Sequence, residues 1–291
     1  MAAATARLER SSQRHRAAAV AASLTGGLMA VWADCAVADP AKLADDFNGD
    51  GYRDLAIGMP QKAISGKEGA GAVLLTFGSA HGLTGKHVYI TQNSTGIPGT
   101  AGYQDFFGSS LASGDLNHDG YADLLVGRED DTTAGTSDNG SVTVLWGGAS
   151  PLRRGLALPM GQSYSGRMLG SDIAVGDFTG DSAPDVAVSG QTSLRLYSGT
   201  FTRTKAPAGI DVSDQDPTGI WNITAGDFDG GGKADLAVSA PEEDPYRNQG
   251  SGALWQLRGT SNGVSTRGVS VFGSKDYGVA PSSGIGETLL D

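Results

Sequence analysis

The sequence predicts an all-β fold in which one four-stranded unit is used several times. An acidic segment of ten residues recurs at 46–55, 115–124, 177–186 and 227–236, with starts separated by 69, 62 and 50 positions. A repeat of this length indicates one supersecondary unit used in tandem. Short apolar runs flank each segment, and 45 glycines punctuate the chain, which is typical of short strands joined by tight turns.

The first acidic segment begins at Asp46 and reads DFNGDGYRDL. Its oxygen-bearing side chains fall on alternate residues, and its glycines allow the backbone to curl so that these oxygens converge. Ca²⁺ prefers such a set, because it accepts about six to eight oxygen ligands in loose geometry. The expected side-chain ligands are Asp46, Asn48, Asp50 and Asp54, and the backbone carbonyl of Tyr52 completes the loop. For one loop alone, a solvated acidic turn is the alternative, because turns favour the same residues.

The other three segments keep this pattern with graded departures. Their expected ligands are Asp115, Asn117, Asp119, Tyr121 and Asp123 in the second, Asp177, Thr179, Asp181, Ala183 and Asp185 in the third, and Asp227, Asp229, Lys233 and Asp235 in the fourth. In the third loop Thr179 replaces an amide by a hydroxyl, and Ser182 stands where the others have glycine. In the fourth, Gly231 removes a ligand and the Lys233 side chain adds a positive charge. We therefore expect the first two loops to bind Ca²⁺ most tightly and the fourth most weakly.

Each acidic segment lies between predicted strands. The expected first strands are 107–112, 169–175 and 220–225, the second strands are 55–57, 124–126, 186–188 and 236–238, the third strands are 72–77, 142–146, 194–197 and 253–257, and a weaker fourth strand is clearest at 87–91. Tandem four-stranded sheets pack radially as a β-propeller, because each sheet then buries both faces against its neighbours.

The two ends of the repeat region predict ring closure. The first unit lacks the strand that precedes its loop, and residues 285–290 match that strand as it stands at 107–112 in the second unit. The C-terminal segment is therefore expected to complete the first blade and to close a four-bladed propeller over residues 39–291. An open array and a part of a longer propeller are the alternatives.

Residues 1–38 are predicted to form a secretory signal peptide. Four arginines, the last of them Arg16, precede an apolar run at 17–33, and Ala36-Val37-Ala38 forms a small-x-small cleavage site. A retained membrane anchor is the alternative, but the run is interrupted by glycines and is shorter than the roughly 20 residues that a spanning helix needs. We expect a secreted protein that does not insert into a membrane after cleavage.

The cysteine content and the net charge of the mature chain limit which disulfides it can form and which partners it can bind. The sole cysteine, Cys35, lies in the leader, so the mature chain has no disulfide. The formal charge is −11, and loss of a leader with a net charge of +2 makes it −13. Nucleic acid and anionic membranes are poor partners for such a surface. The mature protein is expected to be a monomer.

The motif that carries a family resemblance starts at Phe107-Gly108 and continues through Leu111 to an Asp-rich loop that ends in Asp-Leu. In the fourth repeat, the strand after the loop runs into Ala240-Pro241. It resembles the FG-GAP repeat of the integrin α-subunit propeller and its bacterial secreted relatives, over essentially all of the mature chain. The resemblance implies calcium between the first and second strands of each blade, on one face, and ligand binding by long loops on the opposite face. Integrin propellers have seven blades, whereas this chain shows four repeats.

Two classes of function follow. A binding or adhesion module would recognise an extracellular protein or glycan through the charged segments 128–131 and 242–247. The alternatives are an extracellular hydrolase or lyase acting on carbohydrate, or a fragment of a larger integrin-like propeller. Catalysis is the less favoured class, because residues 39–291 contain three histidines (His81, His87 and His118), no cysteine and none of the common hydrolase motifs. We assign no catalytic residue, although paired carboxylates for glycoside chemistry stay open.

We expect export with cleavage after Ala38, because a basic region, an apolar run and a small-x-small site follow one another in order. Intact-mass analysis of the secreted protein should show Asp39 as its first residue. Retention of residues 1–38 in that protein would contradict this prediction.

Overall fold

The computed structural model describes residues 43–129, 140–161, 168–191, 193–212, 219–220, 222–241, 252–278, 286 and 289. In these ranges every regular element is a β-strand, which confirms the predicted all-β class. A search of the same residues finds no helix with the length and apolar character needed to cross a membrane. The predicted signal peptide lies outside the described residues.

The strands form four antiparallel sheets, which we call blades 1 to 4. Blade 1 contains β1 (Leu55–Gly58), β2 (Val73–Thr76) and β3 (His87–Ile90), and blade 2 contains β4 (Leu111–Gly114), β5 (Asp123–Arg128), β6 (Ser141–Leu145) and β7 (Gly155–Ala157). Blade 3 contains β8 (Asp172–Gly176), β9 (Asp185–Gly190), β10 (Ser193–Tyr197) and β11 (Ile210–Asp211). Blade 4 contains β12 (Asn222–Gly226), β13 (Asp235–Ala240), β14 (Ala253–Thr260) and β15 (Gly263–Gly273). Within each blade, strands adjacent in the chain pair with each other, as in the blades of a β-propeller.

The predicted second and third strands are confirmed, but the predicted first strands begin too early. The observed strands start at Leu111, Asp172 and Asn222. The residues before them turn instead, because Gly108 and Gly170 adopt left-handed φ angles of 91° and 101°. The Phe-Gly part of the motif is therefore a turn that leads into the blade.

This turn joins each blade to the one before it. Phe107 forms a parallel bridge with Gly71 of blade 1, and Leu169 forms the corresponding bridge with Gly140 of blade 2. A methyl group on Gly58 would collide with the carbonyl of Gly108, so the two backbones are in direct contact. Only a residue without a Cβ permits this approach.

The hydrophobic core lies between blades rather than within one sheet. One cluster joins blades 1 and 2 and contains Phe47, Leu75 and Leu124, and two further clusters join blades 2 and 3 and blades 3 and 4. Successive residues of β5 alternate between two of these clusters, since Leu124 packs toward blade 1 and Leu125 toward blade 3. Side chains of a strand point to opposite faces in turn, so β5 is buried on both sides.

The inner strands β4, β8 and β12 surround one space. A cavity of about 300 Å³ is lined by residues of all three strands, including Ser113, Val175 and Thr224. Three successive blades therefore present their inner strands to a common axis, as radial packing predicts. A groove between β1 and β4, lined by Leu55, Ala56 and Leu111 among others, adjoins this space.

Two apolar surfaces at the ends of the described array have buried counterparts at the internal junctions. On β1, Leu55 and Ile57 are 43% and 39% exposed, whereas the equivalent Leu124 of β5 is 2% exposed. The second residue of the acidic segment is buried in blades 1, 2 and 3 but 52% exposed as Phe228 in blade 4. By the repeat, Phe228 is equivalent to Phe47, which packs in one cluster with Leu124.

One described residue near the C-terminus bears on closure. A Cβ placed on Gly286 would lie 2.6 Å from the Cβ of Ser239, a residue of β13 that is equivalent to Gly58 of β1. Gly286 therefore contacts blade 4 as Gly108 contacts blade 1. Most of the predicted closing strand, residues 285–290, lies outside the described residues, so ring closure stays a prediction.

If the ring closes, Phe228 packs against the Leu55 and Ile57 surface. Phe228→Ala should then lower the free energy of unfolding by about 3 kcal/mol or more, as for a buried phenylalanine. The matched control is Leu83→Ala, since Leu83 is 57% exposed on an outer loop and should change stability by about 0.5 kcal/mol or less.

Deletion of residues 285–291 should likewise lower the melting temperature, because it removes the strand expected to cover the edge of blade 1. Urea unfolding of the two point variants and thermal unfolding of the deletion variant measure these effects. Equal, small changes for Phe228→Ala and Leu83→Ala, or an unchanged melting temperature after the deletion, would contradict closure.

Candidate metal centre

The first residue of each acidic segment organises its loop. Asp46 Oδ1 accepts hydrogen bonds from the amides of Gly49 (2.7 Å) and Asp50 (3.1 Å), and its Oδ2 accepts one from the amide of Gly51 (2.8 Å). A short carboxylate side chain stabilises a tight turn in this way, because it satisfies amides that the turn leaves without backbone partners.

The same arrangement recurs in the other three loops. The first aspartates Asp115, Asp177 and Asp227 each accept hydrogen bonds from the amides four and five residues further on. The third and fifth residues also bond locally, since Asn48 Oδ1 accepts from the Asp50 amide and Asp50 Oδ1 accepts from the Tyr52 amide. The predicted side-chain ligands of each loop are thus brought into one turn.

Two positions in every loop require a left-handed backbone. The fourth residue has φ of 74° at Gly49, 75° at Gly180 and 73° at Gly230, and the sixth residue is left-handed in all four loops. The exceptions to glycine are His118, with φ of 55°, and Ser182, with φ of 68°. The third loop therefore reaches the same turn as the others although it lacks the sixth-position glycine, at a cost in backbone strain.

The ninth residue of each segment is a buried aspartate that fixes the base of the loop. Asp123 Oδ2 accepts a hydrogen bond from the Leu116 amide (3.1 Å), and Asp123 Oδ1 accepts one from the Gly147 amide (2.9 Å). Gly147 follows β6, which pairs with β5 in antiparallel orientation, so this carboxylate joins the loop to the end of the neighbouring strand. In the other three blades, the amides of Gly78, Gly199 and Gly259 donate equivalent hydrogen bonds to Asp54, Asp185 and Asp235, respectively.

Burial makes three of these carboxylates costly to ionise. Burial and the neighbouring charges of Asp119 and Asp115 together raise the pKa of Asp123 to about 7, although the hydrogen bonds from the amides of Gly147 and Leu116 act in the opposite direction. Burial also raises the pKa of Asp54 and of Asp185. A nearby cation favours the ionised form of a buried acid, so a divalent ion in the loop would offset this cost.

The donor sets fit a hard cation. In the fourth loop, carboxylate oxygens of Asp227, Asp229 and Asp235 all lie within 4.8 Å of one another. In the third loop, the hydroxyl oxygen of Thr179 is buried and lies near the carboxylate of Asp185. Oxygen donors gathered in one turn suit Ca²⁺. These observations do not test the predicted order of calcium affinity. The fourth loop, which is expected to bind calcium most weakly, is nevertheless one in which three carboxylates lie close together.

The seventh residue of a loop packs on the loop before it. A Cβ on Gly49 would overlap the ring of Tyr121, and a Cβ on Gly180 would lie 2.8 Å from Lys233 Nζ. The Lys233 side chain therefore lies over the third loop, whereas the sequence suggested that its charge acts on its own loop. The backbone carbonyls of Tyr52, Tyr121, Ala183 and Lys233 stay predicted ligands.

Backbone hydrogen bonds link the loops across two junctions. The Ala122 amide donates to the carbonyl of Asp46 (3.0 Å), and the Ala234 amide donates to the carbonyl of Asp177 (2.9 Å). Each acceptor belongs to the first ligand of the preceding loop. The equivalent residue in the third loop is Pro184, which has no N–H to donate.

At that junction the link is an arginine. Arg203, in the turn after β10 of blade 3, donates from Nη2 to Asp119 Oδ2 (2.5 Å) and to the carbonyl of Gly147 (2.8 Å). It thus reaches the second loop directly at a predicted ligand and indirectly through the residue that anchors Asp123. The sequence pattern did not point to Arg203, because it lies 84 positions from Asp119.

The opposite ends of the strands carry the predicted recognition segments. Residues 242–247, and part of 128–131, lie outside the described residues. Arg128 itself is buried, with its Nη1 3.3 Å from Asp105 Oδ2 and its Nε donating to Ser141 Oγ at 3.0 Å. Its guanidinium therefore anchors the connection between β3 and β4 rather than facing a ligand.

Comparison with known families identifies the repeated unit. The family model described as FG-GAP repeat matches residues 43–75 and 107–145, and the model described as FG-GAP-like repeat matches residues 177–238. The matched segments contain all four acidic loops.

Individual relatives are similar to parts of the chain. The chain is 35% identical over 152 residues to phosphatidylinositol-glycan-specific phospholipase D of Rattus norvegicus, covering 45% of this chain and 18% of the relative. It is 30% identical over 224 residues to integrin alpha-PS2 of Drosophila melanogaster, covering 68% and 15%. For integrin alpha-8 of Mus musculus the identity is 41% over 83 residues, covering 28% and 7%. The chain therefore spans less than a fifth of the length of these relatives.

The strain at the third loop predicts the effect of one substitution. Ser182→Gly should raise the free energy of unfolding by about 0.5–1.5 kcal/mol, because glycine adopts the left-handed conformation without a Cβ clash. Ala183→Gly is the matched control, since Ala183 has no positive φ and glycine there should lower stability by about 0.4–1 kcal/mol. Urea denaturation measures both, and a loss of stability in Ser182→Gly equal to that of the control would contradict the prediction.

Proposed function

Because the chain contains FG-GAP repeats homologous to those of integrin alpha chains, we propose that it is a calcium-binding β-propeller that acts as an extracellular binding module. The observation that carries the proposal is the geometry that the four acidic loops share: the first aspartate of each accepts hydrogen bonds from amides of its own turn, and the ninth residue of each is a buried aspartate. Four turns with the same hydrogen bonds occupy equivalent positions in the blades. A bound ion explains this repetition better than four independent solvent-exposed turns would.

Calcium is the ion that these loops favour by chemistry. All predicted ligands are oxygens, which disfavours the softer transition metals that prefer thiolate and imidazole. Mg²⁺ demands near-octahedral geometry and keeps several waters, whereas Ca²⁺ accepts irregular sets of carboxylate and carbonyl oxygens. A loop whose carboxylates already accept two or three amide hydrogen bonds can offer such an irregular set without rearranging its backbone.

The position of the loops supports a stabilising role for the ion. Asp46 and Asp177 accept, at their backbone carbonyls, hydrogen bonds from the following blade. An ion held by the side chains of these residues would therefore stiffen the junction to which their carbonyls belong. We propose that calcium maintains the arrangement of the blades, and that the ligand binds at the opposite ends of the strands.

The ligand class proposed is an extracellular protein or glycan. The relatives named above include a phospholipase and integrins, and the chain covers only a small part of each. A segment shared by proteins whose names describe different activities is tied to no single chemistry, so we favour binding over catalysis. Binding to a panel of glycans and extracellular matrix proteins, with and without chelator, together with glycoside hydrolase and lyase assays on the same glycans, separates the two functions.

Calcium should raise the stability of the secreted protein. Extracellular calcium modules bind at about 10⁻⁴ to 10⁻³ M, so millimolar calcium should contribute of order 1 kcal/mol per occupied loop. Chelation should lower the melting temperature by about 2–4 °C for each kcal/mol lost. An unchanged melting temperature after chelation would contradict the proposal.

A pair of variants tests the order of affinity. Asp50→Ala removes a ligand from a loop with four side-chain donors, and Asp229→Ala removes one from the loop that lacks a fifth-position ligand. Equilibrium dialysis at submillimolar calcium should show a larger loss of bound calcium in Asp50→Ala. If Asp229→Ala loses more, the convergence of carboxylates in the fourth loop is the better guide to affinity than the number of ligands.

A further inference from the structure

The second loop differs from the first in its surroundings although the ligand residues of the two loops are the same types. In the first loop, Asp50 accepts a hydrogen bond from the Tyr52 amide within its own turn. In the second, the equivalent Asp119 accepts the Tyr121 amide on Oδ1 and the Arg203 guanidinium on Oδ2. Both oxygens of a predicted ligand are thus engaged, one of them by a positive charge from another blade.

The Arg203 contact replaces a link that the other two junctions make through the backbone. Ala122 and Ala234 donate their amides to the preceding loop, and Pro184 has no amide hydrogen to donate. The side chain of Arg203 crosses the same junction in the same direction, from blade 3 to the loop of blade 2. A rigid guanidinium suits this task, because its several donors can serve a carboxylate and a carbonyl together.

The contact also reaches the anchor of the loop. Arg203 donates to the carbonyl of Gly147, whose amide donates to Asp123. The next residue, Gly148, donates its amide to the carbonyl of Phe47 in the first loop (2.9 Å). The dipeptide Gly147-Gly148 in blade 2 therefore forms hydrogen bonds with both neighbouring blades. Its contact with blade 3 is made by the side chain of Arg203.

We propose that the guanidinium of Arg203 is a stand-in cation for the second metal loop, which ties blade 3 to blade 2 and with which calcium competes for Asp119. This inference rests on the proposed function, since it concerns the affinity of one calcium loop. It ranks the second loop below the first in affinity despite their identical ligand types. It also makes the junction between blades 2 and 3 the one least dependent on calcium.

The test is Arg203→Met in the secreted protein, with Arg53→Met as the matched control. Arg53 also forms an ion pair beside an acidic loop, but its partner Asp45 is not a predicted ligand. After removal of calcium by a chelator, Arg203→Met should melt about 1–3 °C below the wild type, as expected for loss of a partly exposed ion pair. Calcium should then bind the second loop about two- to fivefold more tightly, because no guanidinium competes for Asp119.

Affinity at the second loop is read by calorimetry in a background carrying Asp50→Ala, Asp181→Ala and Asp229→Ala. The melting temperatures are measured without these changes, so the test does not depend on the folding of that background. Arg53→Met should leave the affinity within about twofold, and Arg203→Lys, which keeps the charge but not the fork, should fall between the wild type and Arg203→Met.

The outcomes separate this inference from the proposed function. Calcium binding by the wild type, with unchanged or weaker affinity of the second loop in Arg203→Met, would overturn the stand-in cation and leave the calcium propeller intact. An unchanged melting temperature of chelated Arg203→Met would overturn the tie between the blades. Absence of calcium binding in the wild type at millimolar concentration would overturn the proposed function and this inference together.

Discussion

The buried aspartate at the end of each acidic segment is the interaction on which the rest of the blade depends. In blades 1 to 3 its two oxygens join an amide of the loop to the glycine that follows the third strand, as Asp123 joins Leu116 to Gly147. In blade 4, Asp235 accepts hydrogen bonds from the Gln256 side chain and the Gly259 amide instead. A carboxylate can make both bonds because it offers two oxygens and several lone pairs. Burial raises the pKa of Asp54, Asp123 and Asp185, so a nearby cation would favour the ionised form of the residue that closes each of these three blades.

The three described junctions solve one packing problem with different chemistry. Each buries an aromatic or aliphatic side chain from the second position of a loop, such as Phe47 or Phe178, against the middle strand of the next blade. The polar link above that contact is a backbone amide at two junctions and Arg203 at the third. Pro184 has no amide hydrogen to donate, yet Leu116, the second residue of the loop at that junction, is buried as Phe47 and Phe178 are. The repeat therefore tolerates variation in its polar link.

Local chemistry explains which parts of this fold could be predicted from sequence. The acidic turns and the second strands follow from glycine, aspartate and short apolar runs, which act within about ten residues. The turn at Phe107-Gly108 was mistaken for strand, because its apolar residue pairs with Gly71 of another blade. A fourth strand was predicted for each unit, but the bounds and the 11-residue length of β15 were not, and the Arg203 contact depends on residues far apart in the chain. Packing between blades decides such features, and the local hydrophobic pattern of the sequence does not show which residues of different blades pack together.

The connectivity of an antiparallel blade separates the proposed metal loop from the proposed recognition segment. The acidic loop precedes the second strand and the recognition segment follows it, so they lie at opposite ends of β5 and β13. An ion in the loop is then at least the length of a six-residue strand, roughly 20 Å, from a ligand at the other end. On the function proposed above, an effect of calcium on ligand binding would therefore pass through the strand and its junctions. At the far end of β5, the buried ion pair of Arg128 and Asp105 holds the end of the strand against the connection between β3 and β4.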